Sequence, residues 1–158
     1  MNMKFVSPEP VKESAKADII PNTFFWPSLD LAEYRQVMRQ DGTVTPERLR
    51  LLTLTAVSEV NAELFSFRQK QMDRGCKVLA DVPAEKIGGE SERVHLYRRA
   101  VWCWTKALTV ESYRDFDSTA EGNKKADEME SGLGDLWRDA RWAIARLQDL
   151  PHMTVELI

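Results

Sequence analysis

The chain has 158 residues, of which 43% are hydrophobic and 30% charged, a composition typical of one soluble globular domain. Its formal charge of -3 argues against a broad basic surface that binds nucleic-acid phosphates. Cys76 and Cys103 form no repeated cysteine pattern, and no apolar run is long enough to span a bilayer, so we expect neither a disulfide scaffold, nor export, nor membrane insertion.

Residues 1–22 are predicted to form an extended N-terminal arm. Pro8, Pro10 and Pro21 interrupt any helix there, and the mixed charges between them offer little to bury. Two interpretations stay open at this point: a disordered terminus, or an arm that orders against a neighbouring subunit or partner. The apolar pair Ile19–Ile20 slightly favours docking.

Residues 23–151 are predicted to form a helical domain that opens with three aromatic residues, Phe24, Phe25 and Trp26. We expect these rings to pack on the core; a platform for stacked bases is less favoured because basic neighbours are missing. Ser28 is a good N-cap, which predicts a short helix from Leu29 to about Gln40.

Thr45 and Pro46 supply an N-cap and a proline at the first helical position, so a long helix is predicted from there to about Arg74. Its apolar residues recur at spacings of three and four and indicate a core-facing stripe: Leu49, Leu52, Ala56, Val60, Leu64 and Phe67. The following residues, 76–89, are predicted to be a connecting loop that begins after Gly75.

Ser91 is the next N-cap candidate and predicts a helix to about Tyr113. Its apolar surface is unusually broad, because Trp102 lies beside the regular stripe. Such a helix belongs in the centre of a bundle or between subunits. A polar turn is predicted at residues 115–122.

The last helix is predicted to run from Asn123 to Leu150 and to end before Pro151. Its apolar residues alternate steps of three and four throughout, as in the seam of a helical bundle. Gly132 and Gly134 are unfavourable inside a helix, which suggests either a close approach of another backbone or a slight bend.

Residues 152–158 are predicted to be a β-prone C-terminal tail, the only strand signal in the sequence. A single strand can satisfy its backbone only by adding to the edge of a sheet, for example on another polypeptide. A frayed end is an equally open alternative. The residues concerned are Thr154, Val155, Glu156, Leu157 and Ile158.

The sequence contains no pattern that predicts a catalytic residue, a metal site or a bound cofactor. A zinc site would require four residues from separate segments to converge: Cys76, His95, Cys103 and His152. No glycine-rich phosphate loop is present, and acidic residues such as Asp135 and Asp139 have the spacing of a salt-bridged helix face.

Charge is unevenly distributed along the last third of the chain. Six acidic residues against two lysines lie between residues 115 and 130, whereas Arg138, Arg141 and Arg146 follow. In a head-to-tail ring this polarity would align neighbouring subunits, and in a monomer it would be an uneven surface.

Several blocks of the sequence, in the same order, resemble the head completion protein L family, the head-tail adaptors of contractile-tailed temperate phages. The resemblance covers nearly the whole chain after the arm, and the arm itself cannot be matched. The blocks are residues 22–27 (NTFFWP), 61–64 (NAEL), 79–84 (LADVPA), 117–120 (DSTA), 124–127 (KKAD), 136–139 (LWRD) and 141–143 (RWA).

The resemblance implies an all-α bundle of about four helices, one short and three long, in a structural virion protein without enzymatic activity or cofactor. It implies a homo-oligomeric ring of about twelve copies below the portal protein. That ring would retain packaged double-stranded DNA without sequence-specific binding and would receive tail-side terminator or neck proteins. A DNA-binding packaging protein, such as a small terminase subunit, is the main alternative, and an undetected helical enzyme is a further one.

Two site hypotheses follow. The tail, Thr154 to Ile158, is expected to bind the portal by adding a strand to it. The apolar surface around Trp102 and Trp137 is expected to form the contact between subunits.

Overall fold

The computed structural model describes residues 18–113 and 120–152, with the side chains of the last helix described from Gly132 onward. Most of the predicted arm, part of the predicted polar turn and the tail hypothesis at Thr154 to Ile158 lie outside the described residues. In chain order the elements are β1 (Ile19–Ile20), β2 (Leu29–Asp30), α1 (Leu31–Val37), α2 (Pro46–Glu63), α3 (Phe65–Asp73), a 3-10 turn (Leu79–Asp81), β3 (Lys86–Ile87), β4 (Glu90–Ser91), α4 (Glu92–Tyr113) and α5 (Ala120–Leu147).

Helix α4 is the centre of the molecule, as its broad apolar surface predicts. Ala100 and Val101 have no solvent exposure, and helices α2 and α5 pack on α4. Glu92, at the start of α4, pairs with Arg146 near the end of α5. Arg99, further along α4, pairs with Asp139, which comes earlier on α5. The two helices therefore run antiparallel. The predicted helical bundle is therefore confirmed in outline, with two small sheets added.

The first helix begins later than its sequence predicts. Asp30, not Ser28, is the N-cap: its carboxylate accepts a hydrogen bond from the backbone N–H of Ala32 at 2.9 Å. The reason is that Leu29–Asp30 is a strand that pairs with Ile19–Ile20, so the helix cannot start until the pairing ends. Ile20, near the end of the predicted arm, is consequently buried in the core.

The predicted helix over residues 46–74 is two helices. Thr45 caps α2 as predicted, with its hydroxyl accepting from the N–H of Arg48 at 3.3 Å. At Leu64 the backbone leaves helical geometry, and α3 continues in a new direction to Asp73. The break buries Leu64 completely. Gly75, with φ at +95°, ends this helix as its sequence position predicts.

The prediction that strands are confined to the tail is wrong. Besides β1 and β2, the strands β3 and β4 form an antiparallel hairpin within residues predicted to be a loop. Gly88 and Gly89, with φ at +62° and +80°, form its two-residue turn, a geometry that requires positive φ at both positions.

Helix α5 begins at Ala120 and ends at Leu147, three residues earlier at each end than predicted. Its end is a Schellman motif: the N–H of Leu150 bonds to the carbonyl of Ala145 at 2.9 Å, and Asp149 takes the left-handed conformation with φ at +60°. Gly132 and Gly134 face open space, so neither marks a close backbone approach within the described chain.

Candidate functional site

Trp102, predicted to lie at a subunit contact, is part of the core of the chain itself. Only 3% of its surface is exposed, and its ring packs on Tyr34 with centroids 5.3 Å apart. Burial of Tyr34 in this cluster raises its pKa to about 12. A charged residue at Trp102 would therefore disturb the fold as well as any contact between subunits.

A small cavity opens to the surface above Trp102. Its volume is 190 Å³, and its lining includes Val37, His95 and the buried Cys103. Val37 is 60% exposed at this cavity. A contact between subunits near Trp102 must therefore form at this cavity and its edge.

Trp137 is half-buried on α5 and accessible from outside. It meets Trp104 edge to face, with ring centroids 5.1 Å apart, and its indole N–H donates to Glu111 at 3.1 Å. The structure thus places the two tryptophans of the hypothesis differently: Trp137 remains partly available to a neighbour, whereas Trp102 does not.

The end of α5 and the turn that follows it are held by Arg93. Its guanidinium donates to the carbonyl of Leu147 and to the carboxylate of Asp149, the latter at 2.8 Å. Its Nε donates to the carbonyl of Pro83 at 3.2 Å. Because its side chain is only 13% exposed, Arg93 forms a buried connection between the loop before β3 and the end of α5.

A second contact fixes the chain just before the tail. The imidazole of His152 is parallel to the indole of Trp142, with centroids 4.6 Å apart. Arg138 lies over the same indole at 4.8 Å. Arg93 and Trp142 together hold the last described residues before the predicted portal-binding segment.

Comparison with known proteins decides the family. The model of the family described as phage head completion protein (GPL) matches residues 20–158. A curated relative, the head completion/stabilization protein of Escherichia phage P2, is 43% identical over 153 residues, which cover 97% of this chain and 89% of that protein. The chain belongs to the phage head completion protein (GPL) family. No solved structure matches it.

As a head completion protein, the chain is a structural component of the phage virion, in a family not known for enzymatic activity. No helix in the described part of the chain has the length and hydropathy needed to cross a membrane. Among the residues described, no three side chains of the metal-binding types lie together, and His95 is exposed at the surface.

The sequence blocks that resemble the head completion family meet in the fold. The amide of Asn22 donates to the Tyr97 hydroxyl at 2.7 Å, and that hydroxyl donates to Asn61 at 2.6 Å. Asn61 in turn donates to Asn22 at 3.1 Å, which closes a ring of three hydrogen bonds. Burial raises the pKa of Tyr97 further than its amide partners lower it. Two of the blocks are therefore accounted for by the hydrogen bonds of Asn22 and Asn61, which stabilise the fold, and they need no role in a chemical reaction.

A third block is attached to the same segment. The N–H of Leu79 donates to the carbonyl of Phe25 at 2.9 Å, and the carboxylate of Asp81 accepts from the N–H groups of Lys77 and Val78 at 3.2 and 3.3 Å. Trp26, beside Phe25, stacks on Tyr97 at 4.9 Å. The aromatic run therefore packs on the core, as predicted, apart from Phe24, which is exposed.

The salt-bridged face predicted on the last helix is confirmed at Arg138. It pairs with Asp135 at 3.1 Å and with Asp139 at 3.2 Å. Asp139 also pairs with Arg99 of α4 at 3.4 Å. These acids stabilise helix packing in the head completion protein and do not form an isolated carboxylate pair.

Arg93 and Trp142, which hold the residues after α5, carry no signal in the sequence. Arg93 is one of many arginines, and its partners on the α5 side, Leu147 and Asp149, lie more than fifty residues away in sequence. Trp142 belongs to the RWA block but has no periodic partner.

Proposed function

We propose that this head completion protein is the adaptor between the phage head and its tail. It forms a ring of about twelve copies beneath the portal after packaging, retains the DNA and presents a docking surface for tail-side proteins. The single observation that carries the proposal is the 43% identity, over nearly the whole chain, to a head completion/stabilization protein.

The segment Thr154 to Ile158 binds the portal in this proposal. It alternates apolar and polar side chains and follows Pro151, so it cannot continue α5. Arg93 and Trp142 support the proposal because they fix where the segment begins, and a fixed start lowers the entropy lost when a strand adds to another sheet.

Neighbouring subunits meet at the cavity above Trp102 and at Trp137. The cavity exposes Val37, and Trp137 offers a half-buried indole, the residue type that most often anchors a protein interface. The acidic stretch between residues 115 and 130 and the arginines beyond it provide opposite charges for a head-to-tail contact.

The DNA passes through the ring without base-specific contacts. The chain is acidic overall, with a charge of -3, and an acidic lining would repel phosphates and let duplex move. The competing function, a DNA-binding packaging protein, requires salt-dependent affinity for duplex. Binding of the isolated protein to duplex that weakens steeply with salt would favour that alternative.

The direct test is co-purification with portal protein. Deletion of residues 154–158 is expected to abolish binding while leaving the helical circular dichroism unchanged. A variant in which the same five residues are replaced by Gly and Ser controls for chain length and should also fail to bind. Undiminished portal binding by either variant would refute the role of the tail.

A further inference from the structure

A cation lies between two exposed aromatic rings on the surface of α3. Phe24 and Phe65 are 63% and 51% exposed, and the guanidinium of Arg68 lies 5.7 and 5.2 Å from their ring centroids. We name these three residues the Phe-Arg-Phe patch. Exposed phenylalanines around a held arginine are typical of protein contact surfaces.

Within the described residues, the Arg68 side chain has no polar partner. Its Nε is buried without a hydrogen bond, and no carboxylate in the described parts of the chain pairs with it. The two rings hold the guanidinium by cation–π contacts, and a guanidinium binds a carboxylate in bidentate fashion. The patch therefore fits an occupant that carries an acidic side chain among apolar ones.

The end of α5 lies beside the patch. Arg93, which holds Asp149 at 2.8 Å, also lies over the ring of Phe67 at 5.8 Å. Phe67 directly precedes Arg68 on α3. The end of α5 consequently lies next to the helix that carries the patch.

An apolar cavity connects this exit to α3. Its volume is 450 Å³, and Glu63, Trp142, Leu150 and Pro151 are among its lining residues. The His152 ring is stacked on Trp142, one of these lining residues, with centroids 4.6 Å apart. Glu63 stands two residues before Phe65, so the cavity extends from Pro151 toward the Phe-Arg-Phe patch.

We propose that residues 154–158 of the same chain cover this patch in the free protein, with the Glu156 carboxylate on Arg68 and with Leu157 and Ile158 against the phenylalanine rings. The six residues after His152 reach up to about 20 Å when extended. The N-terminal residues 1–17 carry three lysines and two glutamates, so their charge does not match the patch.

This inference rests on the proposed function in one respect: a tail that binds the portal must first leave the patch. The portal edge and the patch then compete for one segment. The free protein keeps its β-prone tail covered, which protects it from pairing with the wrong sheet edge.

Amide hydrogen exchange of the full chain, without portal, tests the closed position. We expect the amides of residues 154–158 to exchange about tenfold more slowly than in a free peptide of the same sequence. Arg68→Glu should restore the rate of the peptide. Lys70→Glu, an equal charge change at an exposed position on the same helix, should keep the slow rate.

Glu156→Lys provides a second variant that cannot disturb the folded body, and it should also lose protection. Combining Arg68→Glu with Glu156→Lys should recover it. Peptide-like exchange in the unmodified chain, or protection that survives Arg68→Glu, would overturn the inference. Protection that disappears on dilution would assign the tail to a neighbouring copy and overturn the same-chain contact. Portal co-purification, measured separately, reports on the proposed function.

Discussion

The hydroxyl of Tyr97 donates a hydrogen bond of 2.6 Å to the side-chain oxygen of Asn61 while accepting one of 2.7 Å from Asn22. Through these two bonds helix α4 is joined both to the end of α2 and to the aromatic segment that follows β1. The ring of Trp26, stacked on Tyr97, covers the network. One hydroxyl group therefore links the aromatic segment to both helices.

Tyr97→Phe should lower the free energy of unfolding by about 1–3 kcal/mol, because the amide groups of Asn22 and Asn61 lose a partner in a largely buried site. The Trp26 stack should survive, since the ring is kept. Urea denaturation checks the loss, and unchanged near-ultraviolet circular dichroism checks the stack. A variant as stable as the unmodified chain would contradict the importance of this network.

Alkaline pH should destabilise the protein through its buried tyrosines. Burial raises the pKa of Tyr34 to about 12 in the folded state from the ordinary value of 10.0. Above pH 10 the unfolded chain loses this proton while the folded chain keeps it, so stability falls by about 1.4 kcal/mol per pH unit for each such group. Tyr34→Phe should make the decline between pH 10 and 12 shallower, as measured by urea unfolding across that range.

Gly132→Ala and Gly134→Ala should each stabilise the isolated chain by about 0.5–1 kcal/mol, because an added methyl group meets open space and restricts the unfolded backbone. Thermal unfolding should show a higher midpoint for each variant. A lower midpoint would contradict the finding that both glycines face open space. If the variants are more stable but no longer assemble on portals, a neighbouring subunit approaches this face of α5.

Asp149 should tolerate glycine and reject a β-branched residue. Its φ of +60° strains any residue with a side chain, and its ion pair with Arg93 is largely exposed on the Asp149 side. We expect Asp149→Gly to change stability by less than about 0.5 kcal/mol and Asp149→Val to cost about 2 kcal/mol. Denaturant midpoints measure the stability of both variants. Equal effects of the two substitutions on stability would rule out backbone strain at Asp149 as the cause.

Val37→Glu should prevent ring formation on portals without unfolding the chain. Val37 is exposed beside the cavity above Trp102, so a charge there leaves the core intact. Burying that charge against an apolar surface of a neighbouring subunit is unfavourable. Particles counted by electron microscopy measure assembly. Leu51→Glu, an equally exposed position on α2, serves as the matched control and should assemble normally.

The helical periods in the sequence predicted α2, α4 and α5 because apolar spacing reports directly on which face is buried. The same approach missed the strands, although the turn at Gly88 and Gly89 carries a recognisable hairpin signal between short runs. The break at Leu64 has no such signal, because neither glycine nor proline is present there and the residue is fully buried.

The candidate site was less predictable than the fold. The sequence predicts that Trp102 and Trp137 both lie at the contact between subunits, and only packing distinguishes the buried ring from the accessible one. Arg93 could not be found from sequence because its contacts join distant segments.

The adaptor role is tested most directly by imaging the portal vertex of particles that contain this protein. The account predicts a ring of about twelve copies beneath the portal, with residues 154–158 of each copy added as a strand to portal protein and no longer on the Phe-Arg-Phe patch. A portal vertex without the ring, in particles shown by mass spectrometry to contain the protein, would contradict it.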